Sequence, residues 1–410
     1  MFAAAICLAV MGCFGRVSGE DGGTVELSVL MEPDGRGAWR ELFDRFEAAN
    51  PGIHVNLIEG PAATDTREDM YVNALLSGSD DYDLVYADVI WIPKFAAAGW
   101  LEDLTDKWTE WSDFVPASVE GGSYRGKIYR VPTQLNGGLL YYRKDLLQEA
   151  GAEPPKTFAE LRRLSETLEI SGGRWGYAWQ GKQYEGLVCN YLEILNGFGG
   201  FWIDPETLEV GLDGIGAVEA LTFLRDTVGT ISPPGVTTYA EEESRLLFQS
   251  GKAVFLRNWP YVYKLLAAEK SPMFEKIGIE PMPANENGRS SATLGGAGLS
   301  IVKTSPHKEA AWKLIEFVAS MESIRFMNDR IGLQPARKSF YEQSEDPMQE
   351  ALYEVLKHTT PRPELPQYAQ ASDILQRHVS AAITGQSTPE AALRRAARET
   401  RLLLKGSEKR

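Results

Sequence analysis

The chain has 410 residues, which exceeds one ordinary domain and indicates two α/β domains. With 43% hydrophobic and 10% aromatic residues, its composition is that of a folded globular protein. A formal net charge of −15 with no basic stripe excludes nucleic acid and anionic membrane surfaces as partners.

The amino terminus is predicted to be an export signal. Residues 1–12 are apolar and rich in alanine, and Cys13 follows a glycine. A small residue and a cysteine after an apolar run resemble the lipobox of bacterial lipoproteins, which implies a lipid on Cys13, although no Lys or Arg precedes it. We assign residues 1–23 to a signal peptide and tether. The protein is then expected in the periplasm or on the extracytoplasmic face of the membrane.

Hydrophobic periodicity predicts alternating strands and helices at the start of the mature chain. Residues 24–30, 53–58 and 83–88 have the apolar pattern of strands. Helical spacing lies between them, first at Trp39, Leu42, Phe43 and Phe46 and then over residues 66–76. The order strand, helix, strand, helix, strand predicts a parallel sheet with right-handed crossovers.

The remainder of the chain has a less regular alternation, with no internal repeat and no long linker. Further strands are predicted at 138–142, 253–256, 278–283 and 299–302. Further helices are predicted at 143–150, 157–170, 214–228, 240–250, 308–320, 346–358 and 388–404. Two α/β lobes joined by short crossings of the chain fit this order best.

Six segments in register carry a family resemblance. They are residues 180–189 (QGKQYEGLVC), 88–101 (with DVIW and FAAAGWL), 138–146 (GLLYYRKDL), 257–261 (RNWPY), 292–296 (ATLGG) and 361–363 (PRP). In order and spacing they resemble the trehalose/maltose-binding branch of the family 1 extracellular solute-binding proteins of ABC transporters. The resemblance covers residues 25–405. Residues 56–67 are also similar to relatives that bind glucosylglycerol, sucrose and trehalose.

The resemblance implies a two-lobed periplasmic-binding-protein fold of type II with a ligand cleft between the lobes. The first lobe would comprise residues 24–132 and 285–335, and the second 133–284 and 336–406, with hinges near Pro132, Ala284 and Pro335. The implied partners are a sugar and the transmembrane subunits of an ABC permease. The expected protein is a monomer without a cofactor, a metal or a catalytic residue.

Two predicted ligand-binding residues lie in the first lobe. Asp88 follows a predicted parallel strand, where ligand crevices form in α/β sheets, and a carboxylate can accept hydrogen bonds from two adjacent sugar hydroxyls. Its alternative role is the N-cap of a helix over 89–98. Arg67 matches a family position that donates to sugar oxygens; without that match, a solvated surface charge would be the usual interpretation.

The other predicted ligand-binding residues face Asp88 across the cleft. Trp259 and Tyr261 flank a proline after a buried strand, and strand alternation would aim both rings the same way as a platform for a pyranose; core packing is the alternative. Arg362 lies between two prolines, in a rigid cleft loop or an ordinary surface turn. The resemblance also implies roles for Tyr184 and Glu185, and for Gly296 through a close approach of its backbone.

Three positions depart from the family pattern. Asn136 stands where these relatives place an acidic residue, Ala297 stands where they commonly carry tryptophan, and Gly37 lies near a position that is acidic in some of them. A stacking ring and one or two carboxylates are therefore missing. We expect an α-glucoside with a small second half, such as glucosylglycerol, trehalose or sucrose.

Three alternatives stay open at this stage. The first is a maltose or maltooligosaccharide carrier. The second is a secreted glycosidase, although the 57 acidic residues make carboxylate pairs uninformative. The third is ferric iron bound by Tyr141 and Tyr142, which strand alternation disfavours because neighbouring side chains point to opposite faces. We find no phosphate loop, nucleophile elbow or His spacing typical of a metal site.

Overall fold

The computed structural model describes residues 24–169 and 173–407. The strands are β1 (Val25–Met31), β2 (Ile53–Glu59), β3 (Leu84–Asp88), β4 (Ser123–Tyr124), β5 (Lys127–Ile128), β6 (Val131–Pro132), β7 (Leu139–Arg143), β8 (Trp175–Ala178), β9 (Ala253–Asn258), β10 (Ile277–Glu280), β11 (Ala292–Thr293), β12 (Ala297–Ile301) and β13 (Thr359–Thr360).

The helices alternate with these strands. They are α1 (Ala38–Ala49), α2 (Thr64–Ser77), α3 (Ile92–Ala97), α4 (Pro116–Glu120), α5 (Lys144–Glu149), α6 (Phe158–Glu169), α7 (Glu185–Gly197), α8 (Ile215–Thr227), α9 (Glu241–Gln249), α10 (Tyr261–Ala268), α11 (Lys308–Val318), α12 (Met321–Ile331), α13 (Lys338–Glu342), α14 (Pro347–Leu356), α15 (Tyr368–Ile383) and α16 (Pro389–Ser407). Within the described ranges, no helix is long and apolar enough to cross a membrane.

The first lobe is built on a sheet of order β2-β1-β3-β12-β6. Strands β1, β2 and β3 run parallel, whereas β12 is antiparallel to β3 and to β6. Helix α1 buries Trp39, Leu42, Phe43 and Phe46 against this sheet, each burial contributing roughly 1.5–3 kcal/mol. The predicted strand–helix–strand–helix–strand unit is therefore confirmed.

The second lobe is built on a sheet of order β10-β7-β9-β8. Strand β7 is antiparallel to both neighbours, and β8 runs parallel to β9. Helices α7, α8, α15 and α16 pack against one another beside this sheet. Along β7, Tyr141 is fully buried and donates to the Trp259 carbonyl at 2.9 Å, while Tyr142 faces Gly278 on the other side. The tyrosines thus form no pair that could chelate iron.

The sequence-based prediction lacks helices α4, α7, α10, α12, α13 and α15. Helix α7 was missed because nearly all of its residues are buried, so it has no polar stripe to reveal the helical period. The polar residues of the segment 180–189 do not all face solvent, because Gln180 is fully buried and donates to the Arg257 carbonyl at 2.9 Å.

The lobes are linked by crossings that pair with one another. Gln134 forms an antiparallel bridge with Pro335, and Asn136 forms one with Gly295. Two predicted hinges, near Pro132 and Pro335, lie close to these bridges. We propose that the chain crosses at these paired segments.

The hinge predicted near Ala284 is followed by residues that bond to the second lobe. The amides of Asn285 and Arg289 donate to carbonyls of α7 at 2.8 and 3.1 Å, so this stretch is attached to the second lobe. Strand β11 also pairs with β13 rather than with the first sheet. We therefore propose that the middle crossing is at residues 294–296 and that residues 285–293 belong to the second lobe.

Candidate ligand-binding cleft

Asp88 ends β3 at the carboxyl edge of the first sheet. Its Oδ1 accepts from the Ile90 amide at 3.1 Å and from Arg362 Nη2 at 3.3 Å. The bond from the Ile90 amide forms an Asx turn that fixes the side chain. Asp88 is not the N-cap of α3, because that helix begins only at Ile92. The carboxylate is about one-fifth exposed, so it is held at the cleft and still accessible.

Glu32 is a second carboxylate at the same edge and was missed in the sequence. It follows β1, the strand beside β3, and accepts from Arg67 Nη2 at 3.4 Å and from Gln134 Nε2 at 3.2 Å. Burial raises the pKa of Glu32, and the nearby charge of Asp88 raises it further. The position directly after a parallel strand, which identified Asp88, was a signal that also applied to Glu32.

Arg67 is buried, so its interpretation as a surface charge is wrong. It lies in the first turns of α2, and its Nη1 donates to the carbonyls of Pro61 and Ala62 at 2.8 and 2.7 Å. These bonds hold the guanidinium against Glu32. The positive charge is thus fixed beside a carboxylate at the edge where ligands bind in such sheets.

Arg362 bridges the two lobes and is buried rather than part of a surface turn. Its Nη1 donates to Glu185 Oε1 at 2.7 Å, while Nη2 donates to Asp88 and to the Leu294 carbonyl at 3.1 Å. Burial opposes its charge, but neighbouring groups that include Asp88 and Glu185 raise the pKa of Arg362. The guanidinium therefore stays charged.

Glu185 lies behind Arg362, in the first turn of α7. Its carboxylate also accepts from the hydroxyls of Tyr368 and Ser372, both at 2.5 Å. Burial raises the pKa of Glu185, and the positive charge of Arg362 opposes that effect. Because these partners surround the carboxylate, we propose that Glu185 positions Arg362 and does not touch the ligand.

The crossing segments bring Asn136, Gly296 and Ala297 to the cleft edge. Asn136 exchanges backbone hydrogen bonds with Gly295 at 2.9 and 2.8 Å. Gly296 has φ 129°, and a Cβ there would lie 2.4 Å from the Gln134 carbonyl oxygen, so the close backbone approach requires glycine. Ala297 is buried and pairs with Asp88 across the sheet.

Trp259 and Tyr261 do not continue a strand, so the predicted alternation is wrong. Pro260 adopts helical dihedral angles and Tyr261 begins α10, which turns the chain after Trp259. Each ring donates a hydrogen bond to a different carboxylate. Trp259 Nε1 donates to Glu241 at 3.2 Å, and the Tyr261 hydroxyl donates to Glu242 at 2.6 Å. Both rings are half-buried.

A continuous chain of contacts joins the two sides of the cleft. It runs from Arg67 through Glu32, Gln134, Asn136 and Gly295 to Trp259. Tyr184 lies near Glu241 on the second-lobe side. The arrangement combines carboxylates, guanidinium groups and amides with one partly exposed indole. In the described part of the chain, no group of three or more His, Cys, Asp and Glu is placed to hold a metal ion.

Glu68, on α2, gives the structure a predicted pH dependence. Burial raises the pKa of Glu68 to about 7, although Lys94 donates to it at 3.0 Å and opposes the shift. Between pH ~4.5 and ~7 the folded state therefore binds more protons than the unfolded state, and the unfolding free energy falls as pH rises. When the pH is raised from 5 to 8, the unfolding free energy of Glu68→Gln should therefore increase by up to about 3 kcal/mol relative to that of the wild type.

Urea denaturation of both proteins at pH 5 and pH 8 measures this change in the stability difference. The Lys94→Met variant is a control. Because it removes the opposing cation, it should steepen the pH dependence of the chain that retains Glu68. A stability difference between Glu68→Gln and the wild type that is the same at both pH values would contradict the assigned pKa.

Comparisons with known proteins agree with this architecture. The sequence profile of the family described as bacterial extracellular solute-binding protein matches residues 32–324. A probable ABC transporter-binding protein of Deinococcus radiodurans is 32% identical over 362 residues, which cover 85% of this chain and 86% of that protein.

Solved structures show the same two-lobed fold. The maltose-bound MalE3 of T. maritima is 38% identical, covers 93% of this chain and 100% of its own, and has a TM-score of 0.87. A solute-binding protein of Thermotoga lettingae bound to α-D-tagatose is 26% identical, covers 92% and 99% of the two chains, and has a TM-score of 0.84. The chain therefore belongs to the bacterial extracellular solute-binding protein family.

Proposed function

We propose that the protein captures an α-glucoside with a small second half, such as glucosylglycerol, trehalose or sucrose, and delivers it to its permease. The observation that carries this proposal is the clustering of charged and aromatic side chains at the junction of the lobes. Arg362 bonds Asp88, Arg67 bonds Glu32, and Gly295, which lies beside Trp259, pairs with Asn136. Carboxylates and guanidinium groups bond sugar hydroxyls, while an indole packs on the apolar face of a ring.

The site residues predicted from the sequence have different roles in this proposal. Asp88 and Arg67 bind hydroxyls from the first lobe, joined by Glu32 and Gln134. From the other side, Arg362 and Trp259 contact the sugar, with Tyr184 and Tyr261 beside the indole. Asn136 lies between the two groups, and the turn at Gly296 allows the close backbone approach.

The size of the ligand is argued from Asn136 and Ala297. The amide carries no charge and the methyl group offers no stacking surface, so the part of the cleft near them has a weaker hold on a second glucose ring. A polyol or fructosyl unit suits that region. Maltose is the second candidate, because the relative that is 38% identical was solved with maltose bound.

Capture is coupled to closure of the lobes. The bond from Arg362 to Asp88 at 3.3 Å joins side chains on opposite sides of the cleft, as does the bond from Gln376 to Asp65 at 3.2 Å. A sugar that contacts both lobes binds the closed form better than the open one and therefore shifts the population toward closure. The closed form would then dock on the permease.

The family is extracellular, which agrees with the predicted export. The signal peptide and Cys13 lie outside the described residues, and we propose the lipid tether from the sequence alone. Proteins of this family carry their solutes rather than transform them, so binding is the activity to measure. We also propose that the protein acts as a monomer.

Calorimetric titration tests the cargo directly. A soluble form that begins at Gly19 is titrated with trehalose, sucrose, glucosylglycerol, maltose, glucose, mannitol and tagatose. We expect a micromolar or tighter Kd for one α-glucoside, equivalent to about −8 kcal/mol or better. A folded protein that binds maltose most tightly would select the second candidate. A folded protein that binds none of the α-glucosides would contradict the proposal.

A further inference from the structure

The first turn of α9 is anchored beside the candidate cleft. The Glu241 carbonyl accepts from Asn258 Nδ2 at 3.1 Å and from Ser244 Oγ at 2.9 Å. Ser244 in turn accepts from the buried Gln180 amide at 2.7 Å. Because Gln180, Ser244 and Asn258 are all fully buried, Glu241 has a fixed backbone position at the end of β9.

The Glu241 side chain extends from this anchor to the aromatic side of the cleft. Its Oε1 accepts from Trp259 Nε1 at 3.2 Å, and the side chain is only half-buried. Tyr184 lies next to the same carboxylate: burial raises the pKa of Tyr184, and the charge of Glu241 raises it further. A carboxylate has about four lone-pair sites, so the indole bond leaves capacity for another donor.

Trp259 is held from behind by a buried cation. The Arg257 guanidinium carbon lies 4.1 Å from the centroid of the indole. Arg257 is itself fixed, because its Nε and Nη2 donate to the two oxygens of Glu193 at 2.7 and 2.5 Å. Arg257 and Glu193 have no exposed side-chain surface. One indole face is thus occupied, and the ring is rigid before any ligand binds.

The two edges of the indole meet different polar groups. Glu241 lies at the nitrogen edge. At the benzo edge, Gly295 is so close that a Cβ there would be 3.3 Å from Trp259 Cζ3 and 3.4 Å from Asn136 Cβ. A sugar ring stacked on the indole would therefore have Asn136 toward one end and the Glu241 carboxylate toward the other.

We propose that Glu241 is a ligand-binding residue that accepts a hydrogen bond from a hydroxyl of a pyranose ring stacked on Trp259. This inference rests on the proposed sugar-binding function and adds a specificity-determining residue to it. It selects cyclic sugars over acyclic polyols, because only a ring presents an apolar face to the indole while it holds a hydroxyl at the carboxylate.

Glu241→Gln tests the proposal with little change of shape. The amide oxygen can still accept from Trp259 Nε1, but the charge that strengthens a bond to a ligand hydroxyl is lost. With trehalose and maltose as probes, we expect at least a tenfold rise in the Kd of the sugar that the wild type binds. The matched control is Glu243→Gln, an exposed residue of the same turn that accepts from the Ala240 amide at 3.0 Å. It should change the Kd less than twofold.

Single-deoxy analogues of the bound sugar separate direct contact from support of the indole. The analogue that lacks the hydroxyl bound by Glu241 should bind the wild type at least tenfold more weakly than the parent sugar does. For Glu241→Gln, the Kd of this analogue should lie within twofold of the Kd of the parent sugar. Equal Kd values for Glu241→Gln and the wild type would overturn the proposal. It would also be overturned if Glu241→Gln weakened the binding of every analogue by the same factor. Circular dichroism and thermal unfolding confirm that the variants are folded.

The wild-type titrations distinguish failure of the proposed role of Glu241 from failure of the proposed function. If the wild type binds none of the α-glucosides but binds mannitol, an acyclic polyol, then the proposed α-glucoside function fails and the stacked-ring geometry fails with it. If it binds no sugar at all, the proposed function fails first. Binding of a cyclic sugar that Glu241→Gln leaves unchanged removes only the role of Glu241.

Discussion

Glu193→Gln is expected to destabilise the protein by about 3–5 kcal/mol, because it leaves the Arg257 guanidinium buried without its counter-ion. Both side chains are fully buried, and the pair makes two hydrogen bonds. Glu193 Oε1 also accepts from the Thr293 amide at 3.1 Å, next to the middle crossing. The loss therefore combines an unpaired charge with a weakened contact between α7 and β11.

Urea denaturation at constant pH measures this free energy. Asp373→Asn is the control: its partner Arg377 is more than two-fifths exposed, and such surface pairs contribute about 1 kcal/mol or less. The double variant Glu193→Met with Arg257→Met should recover much of the stability, because it removes both buried charges together. A loss below about 1 kcal/mol for Glu193→Gln would show that the pair is hydrated in solution.

Asp88→Ala is expected to raise the Kd of the bound sugar at least tenfold, or by about 1.4 kcal/mol of binding free energy. The substitution removes a partly exposed carboxylate that both accepts hydroxyl donors and bonds Arg362 across the cleft. Arg362 retains Glu185, so its charge stays paired and the fold should persist. Calorimetry with the sugar identified for the wild type gives the Kd.

The control for this experiment is Asp80→Ala, which removes an exposed carboxylate in the loop before the same strand. It should leave the Kd within twofold of the wild type. Trp259→Ala should weaken binding by a similar factor to Asp88→Ala if the indole is the stacking surface. Wild-type affinity in both Asp88→Ala and Trp259→Ala would place the site elsewhere while leaving the family assignment intact.

Local sequence patterns were sufficient for most of the regular elements. The spacing of Trp39, Leu42, Phe43 and Phe46 predicted α1, and alternation predicted the strands on either side of it. Such elements can be predicted because one face is buried and the other is exposed to solvent. Apolar and polar residues therefore alternate with the period of the element. Asp88 was identifiable for a related reason, because the end of a parallel strand is a recurrent ligand position.

The sequence by itself thus determined the family, the two-lobed class and several residues of the candidate cleft. Only the tertiary structure decided how those residues are partnered. Arg362 meets Glu185 across 177 positions and Asp88 across 274, while Glu241 reaches Trp259 only because α9 folds back onto the end of β9. Helix α7 was also missed, because a helix that is buried on all sides shows no helical period of apolar and polar residues. Periodicity reports contacts within one element, whereas a cleft is made by side chains that the chain brings together from distant elements, and no local pattern records that distance.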